Sequence, residues 1–270
     1  MPAIYPARLK TQTAELAECY ANPKNFLRGL HNLLEFYSDR TYRPGQSGEP
    51  RPLIAQYNVP SPVLRQVLKD LLRKIEKHPQ VGLVLCDNLW EQPYLECKQL
   101  AVRVLGNIAP EPPEKIFERV VRWGISGSEH HLQMDLVVEG LARLRRERPD
   151  VYIHQVGDWL SAENHASNQI GIKALIALLD QSHFANLPAI YRILTPLLHS
   201  KRSKLRSDII LVLGMLAKHS PQETAVFIKQ NMAFAAEYPE ILWFIRHSLR
   251  FFPPEIERNL RKSLKGVDLE

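Results

Sequence analysis

Apolar residues return every three to four positions along most of this chain, and that period commits it to helices. Val63, Val67, Leu71 and Leu72 mark one face of 61–77; Leu100, Val102, Leu105 and Ile108 mark a second segment; Ile209, Leu213 and Leu216 mark a third. No stretch alternates apolar and polar residues over six positions, and no Asn-Gly or Asp-Gly pair offers a hairpin turn. Strands are therefore not expected.

Proline sets the helix boundaries. Ser61-Pro62, Pro112-Pro113, Pro149, Ser220-Pro221, Pro239 and Pro253-Pro254 stand where one apolar pattern stops and the next begins, with Ser61 expected as an N-cap. The second helices of successive pairs begin near 93, 129, 164, 202 and 239, about 35–38 residues apart. Two helices per period of that length describe a HEAT-type solenoid. No consensus repeats residue by residue, so an irregular helical bundle stays open as the alternative. The expected fold is all-α, an α-α superhelix of HEAT-like helix pairs with about fourteen helices, in a single domain over residues 1–270.

A hydrophobic content of 45% over 270 residues is enough for a sizeable core. Lys and Arg exceed Asp and Glu by 35 to 29, and a net charge of +6 permits a polyanionic partner without requiring one. No apolar run is long enough to span a membrane, and the N-terminus MPAIYPARLK lacks the apolar core of a signal peptide. Cys19, Cys86 and Cys97 form no CxxC pair, so they are expected as three small core residues of a cytoplasmic protein, with neither metal site nor cofactor. Residues 39–60 are rich in Pro, Gly and Arg and read as a long loop, either a lid or DNA-contacting segment or a surface insertion without a role.

The segments YNVPSPVLRQVLKDLLRKI (57–75) and LWEQPYLECKQLAVRVLGNI (89–108) resemble the AlkD-like family of HEAT-repeat DNA glycosylases. Val59, Pro60, Leu64, Arg65, Leu68 and Lys69 fit its first helix, and Leu89, Trp90, Glu96, Ala101 and Leu105 its second, while Tyr57 and Asn58 replace the glycine region of its turn. Further on, Arg148-Pro149-Asp150, Trp159-Leu160-Ser161 with Glu163-Asn164, His199-Ser200 and Ala217-Lys218 follow the family pattern in order. The resemblance covers about 57–235. It implies a concave surface along which second helices face a DNA duplex.

In that family an aromatic pair precedes a catalytic aspartate, an arginine sits on the next repeat and a tryptophan on the one after. An N-alkylated purine is cationic, so aromatic faces hold it. Cleavage of its glycosidic bond builds positive charge on the sugar, which a carboxylate stabilises. Here Asp135 occupies the aspartate position, His130 and His131 stand in place of the aromatic pair, and Gln169 and Leu211 stand in place of the arginine and tryptophan. Spacing puts His131 and Asp135 on one helix face. Asp135 is either a surviving catalytic carboxylate assisted by His131 or an ordinary polar residue beside a histidine. Adjacent histidines on a helix diverge by about 100°, which disfavours a shared metal.

Basic clusters are the other functional signal. His199, Lys201, Arg202, Lys204 and Arg206 gather at a helix start, where backbone N–H groups also attract anions. Arg143, Arg145, Arg146 and Arg148 crowd a helix end and read first as macrodipole compensation, with Arg146 the candidate DNA contact. Arg246, Arg250, Arg258, Arg261 and Lys262 either extend a phosphate track or solvate the last helices. Trp90, Trp123, Trp159 and Trp243 are expected as core anchors, Trp123 being the one placed to reach a cleft. Three functions follow: a monomeric glycosylase acting on alkylated purines in double-stranded DNA, a catalytically degenerate binder of duplex or branched DNA, and a protein-binding scaffold.

Overall fold

The computed structural model describes residues 4–39, 54–109, 111–126, 130–180, 186–200 and 203–267. In chain order the helices are α1 (Pro6–Glu18), α2 (Pro23–Tyr37), α3 (Ser61–Ile75), α4 (Pro79–Trp90), α5 (Leu95–Leu105), α6 (Glu114–Ser126), α7 (His130–Val138), α8 (Ala142–Glu147), α9 (Pro149–Ser161), α10 (His165–Leu179), α11 (Leu187–Leu198), α12 (Arg206–His219), α13 (Pro221–Met232), α14 (Glu240–Ser248) and α15 (Pro254–Val267). Ser203–Leu205 and Leu249–Phe251 are single 3-10 turns. No strand forms among the described residues, and one isolated bridge joins Ala55 to Tyr94. The fold is all-α.

The contacts gather into two compact units, Met1–Arg148 and Pro149–Glu270, and the break falls at the Arg148-Pro149 step where the helical pattern is interrupted. In the first, α1 packs on α3 and α4 on α5; in the second, α9 packs on α10 and α12 on α13. The second helices begin at Leu95, His130, His165, Arg206 and Glu240, within a few residues of the expected positions.

Prolines 6, 23, 62, 79 and 221 sit in the first turn of their helices, where a missing N–H costs nothing. Three expectations need correction. The N-cap of α3 is Pro60, so Ser61 lies inside the helix and caps nothing with its side chain. Pro196 lies within α11, and the helix ends two residues later at Leu198, as the loss of a backbone donor favours. Cys19 is also exposed at the end of α1, so only Cys86 and Cys97 belong to the core.

Val63, Leu64, Val67, Leu71 and Ile75 form the buried face of α3. On its flank Asp70 accepts from Thr13 of α1 at 2.7 Å and from Gln66 at 2.8 Å, so the buried carboxylate is paired where α1 and α3 meet. Trp123 is buried against Trp90, rings 4.7 Å apart and 7° from parallel, and is a core anchor rather than a cleft aromatic. The Lys98 ammonium lies 4.7 Å from the Trp90 ring centre.

Residues 40–53 of the long loop lie outside the described residues. Its end is held by Glu96, which is 5% exposed and accepts from the backbone N–H groups of Tyr57 at 2.9 Å and Asn58 at 2.7 Å. Asn58 has φ of 55°. The turn that carries glycine in the resembling family is thus made here by asparagine, the side chain that best tolerates that region.

Among the described glycines, Gly106 meets a neighbouring backbone most closely, where the end of α5 approaches the residue that follows α7. A Cβ added to Gly106, at the end of α5, would stand 1.7 Å from the Glu139 carbonyl oxygen. Gly106→Ala must therefore push two backbones apart and is expected to destabilise the protein by about 3 kcal/mol. Gly157→Ala meets only the Ile193 side chain at 3.5 Å and is expected to gain up to about 1 kcal/mol from helix propensity. Urea unfolding of both variants checks the pair; equal midpoints would contradict it. By the same method Glu96→Ala, which orphans two N–H groups, should cost about 3 kcal/mol, and Glu96→Gln should recover part of it by keeping one acceptor oxygen.

Candidate functional site

Helix α7 carries the candidate carboxylate. Leu132, Leu136 and Val137 are buried and turn one side of this nine-residue helix into the core. His131 and Asp135 occupy the opposite side. Three further ties hold the helix: Gly106 against Glu139, Gln133 donating to the Gly124 carbonyl of α6 at 3.0 Å, and Arg145 donating to the carbonyls of Val137 at 2.9 Å and Val138 at 3.1 Å. Arg145 is itself buried, so one member of the 143–148 cluster is a fixed C-terminal cap of α7. Arg143 is engaged as well, with Glu147 at 2.9 Å and the Asn107 carbonyl at 2.9 Å.

The Asp135 side chain is 31% exposed, and that of His131 is 73% exposed. His131 Nε2 lies 3.9 Å from Asp135 Oδ2, so the two meet as the spacing required, at the limit of an ion pair. Burial raises the pKa of Asp135. The charges of His131 and of Arg103 on α5 pull it down, Glu139 pushes it up, and the rise prevails. Arg103 stands 32 positions before Asp135, and no local pattern marks it as a neighbour; only the packing of α5 on α7 does so. His130 belongs to the first turn of α7. Arg146 projects into solvent and touches Glu147 at 3.3 Å.

In the second unit, Gln169 is half-buried on α10. Its neighbour Asn168 is committed to structure, donating to the carbonyls of Trp159 at 2.9 Å and Ala162 at 2.7 Å. Leu211, on α12 packed against α10, is 47% exposed, which is high for leucine on a helix whose other apolar residues are largely buried. The structure thus presents to solvent the position where the resembling family has tryptophan.

The basic cluster at the start of α12 divides. Lys201 and Arg202 lie outside the described residues. Lys204 is exposed on the 3-10 turn. Arg206 makes a two-pronged contact with Glu240 at 2.6 and 3.1 Å and lies 5.1 Å from the Trp243 ring centre, so its charge is already matched. His199 ends α11 and is hydrogen-bonded to Asn231 at 3.0 Å. Another group escaped sequence reasoning altogether: in the first unit His31 joins the Tyr57 hydroxyl at 2.9 Å to Gln92 at 3.2 Å, beside stacked Tyr57 and Tyr94 rings 4.3 Å apart. No helix among the described residues is long and apolar enough to cross a membrane.

Compared with known proteins, residues 54–238 match the model of a family described as DNA alkylation repair enzyme. Neither the curated proteins nor the solved structures return a match.

The raised pKa of Asp135 has a consequence for stability. The folded protein holds that proton more tightly than the unfolded chain does. The associated stability is fully present below the ordinary value of 3.8 and is lost as pH rises through the folded value. At neutral pH the ionised carboxylate is a net cost. Asp135→Asn is expected to raise Tm near pH 7, with a gain that vanishes below about pH 3.8. Thermal melts across that range check this; a lowered Tm near pH 7 would show instead that Asp135 serves the fold.

Proposed function

The chain belongs to the family of DNA alkylation repair enzymes, and on that premise we propose that it binds double-stranded DNA and removes N-alkylated purines with Asp135 as the catalytic carboxylate. One observation carries the catalytic half. Asp135, which by resemblance stands where the family has its aspartate, is partly buried on α7 beside His131, and that burial raises its pKa. Carboxylates whose pKa is raised by burial gather at functional sites.

The chemistry suits such a group. An N-alkylated purine carries positive charge, and the glycosidic electron pair leaves with the base, which departs neutral. Positive charge passes to the sugar, water adds at C1′, and that water's proton is released. A carboxylate beside the sugar stabilises the developing charge and orients the water. His131 supports the reading while neutral, since its ring stacks on a base; protonated, it repels the cation and pairs with Asp135 instead. In the first unit His130 and Arg146 are proposed as DNA contacts, and in the second, taken by itself, Gln169, Lys201, Arg202, Lys204 and Arg206 are proposed as such, the cations meeting phosphates. Arg206 would do so with its charge shared with Glu240.

A second reading is favoured by Leu211, Gln169 and His131. Three of four recognition groups differ from the family pattern, so the protein binds DNA by its backbone and shape without excising a base. Both readings require phosphate contacts. Affinity for an undamaged duplex should therefore fall by tenfold or more between about 50 and 200 mM salt, since each neutralised phosphate adds to the slope. Lys204→Ala should flatten that slope by about one. Binding that does not change with salt, or no binding at the lower concentration, would contradict both.

A further inference from the structure

The second unit carries an aromatic cluster that the excision chemistry does not use. His199, at the end of α11, stacks on Tyr238 with ring centres 4.7 Å apart and planes 10° from parallel. Phe234 lies 5.2 Å from the same imidazole. Phe234 and Tyr238 both come from the turn that joins α13 to α14, four residues apart, and the Tyr238 N–H donates to the Phe234 carbonyl at 2.9 Å.

The imidazole is fixed in place and in tautomer. Asn231 donates its Nδ2 to the Phe227 carbonyl at 2.9 Å, so its Oδ1 must be the atom facing His199. An amide oxygen only accepts, and the proton therefore sits on His199 Nε2. Behind this, Phe227 stacks on Tyr191 at 4.7 Å, and Tyr191 is bonded to Thr224 at 3.0 Å. The rings are thus braced from the core outward. The outermost one is open: Phe234 is 48% exposed. Lys204, five positions after His199, is exposed on the 3-10 turn Ser203–Leu205.

A rigid ring, half open to solvent, loses little entropy when something stacks on it. The exposed cation Lys204 of the following 3-10 turn favours a polyanion. We propose that Phe234, braced by His199 and Tyr238, is a stacking platform for an unpaired nucleobase, with Lys204 holding the strand's phosphate. Every base has a π-face, so such a platform takes single-stranded or unpaired DNA without regard to sequence. This site rests on the reading that the protein binds DNA, and it adds an unpaired strand to the duplex as ligand.

The test uses the full chain, a dye-labelled oligothymidine and a duplex of equal length, read by fluorescence anisotropy at low salt. Wild type is expected to bind both. Phe234→Ala should weaken oligothymidine binding about tenfold, the loss of one stacked base, and leave duplex affinity within about twofold. Phe234→Trp should hold the wild-type affinity for oligothymidine, because it keeps the aromatic face. Absence of wild-type binding to oligothymidine, or equal binding by wild type and Phe234→Ala, would overturn the platform even if the duplex binds. Loss of duplex binding alone would overturn the proposed function and leave the platform standing. Phe234 is largely at the surface, so circular dichroism of both variants should match wild type.

Discussion

The approach of α5 to α7 at Gly106 is the constraint on which the candidate site depends. With no side chain at that position, the end of α5 comes against the Glu139 carbonyl more closely than any Cβ would permit. That contact sets the depth of a short helix that would have little hold by itself. Gln133 ties it to α6, and Arg145 caps its carbonyl end. Once those positions are fixed, Leu132 and Leu136 fall into the core and Asp135 is left at the margin between core and solvent. The raised pKa of the carboxylate follows from that depth.

The distribution of positive charge is narrower than a net charge of +6 suggests. Arg145 is spent on helix carbonyls, Arg143 on Glu147 and the Asn107 carbonyl, and Arg206 on Glu240 and Trp243. Asp87 likewise holds both Arg119 and Arg122, which pins α6 to α4. Among the described residues proposed to meet DNA, Lys204 and Arg146 are exposed, Arg146 with Glu147 at 3.3 Å. A guanidinium already matched by a carboxylate has to be freed before it can serve a phosphate, so unpaired cations should dominate the salt dependence.

Much of the architecture was legible in the sequence because helical periodicity and proline placement are local signals. The starts of α5, α7, α10 and α14 fall within two residues of expectation. The start expected at 202 falls four residues before that of α12 at Arg206, because the basic cluster includes a 3-10 turn that carries no periodic mark. The site was legible only in part. Asp135 and His131 could be paired because they share one helix. Arg103 could not be placed beside them, nor Arg145 recognised as a cap, because both depend on how one helix seats on another. Trp123 shows the converse: its proximity in sequence to α7 suggested a cleft, but the parallel stack with Trp90 draws it into the core. Asn58 in place of glycine is legible afterwards, since its φ of 55° is one that asparagine tolerates.

Of the proposals, the role of Asp135 bears most directly on what the protein does. The decisive measurement is release of free methylated purine from alkylated duplex DNA, followed by chromatography at enzyme in excess over lesions, for wild type and Asp135→Asn side by side. Release by wild type, with a loss of at least about a hundredfold in the variant, is the expected result for a carboxylate that stabilises the sugar cation. Equal release by both, or none by a wild-type protein that binds the same DNA, would contradict it.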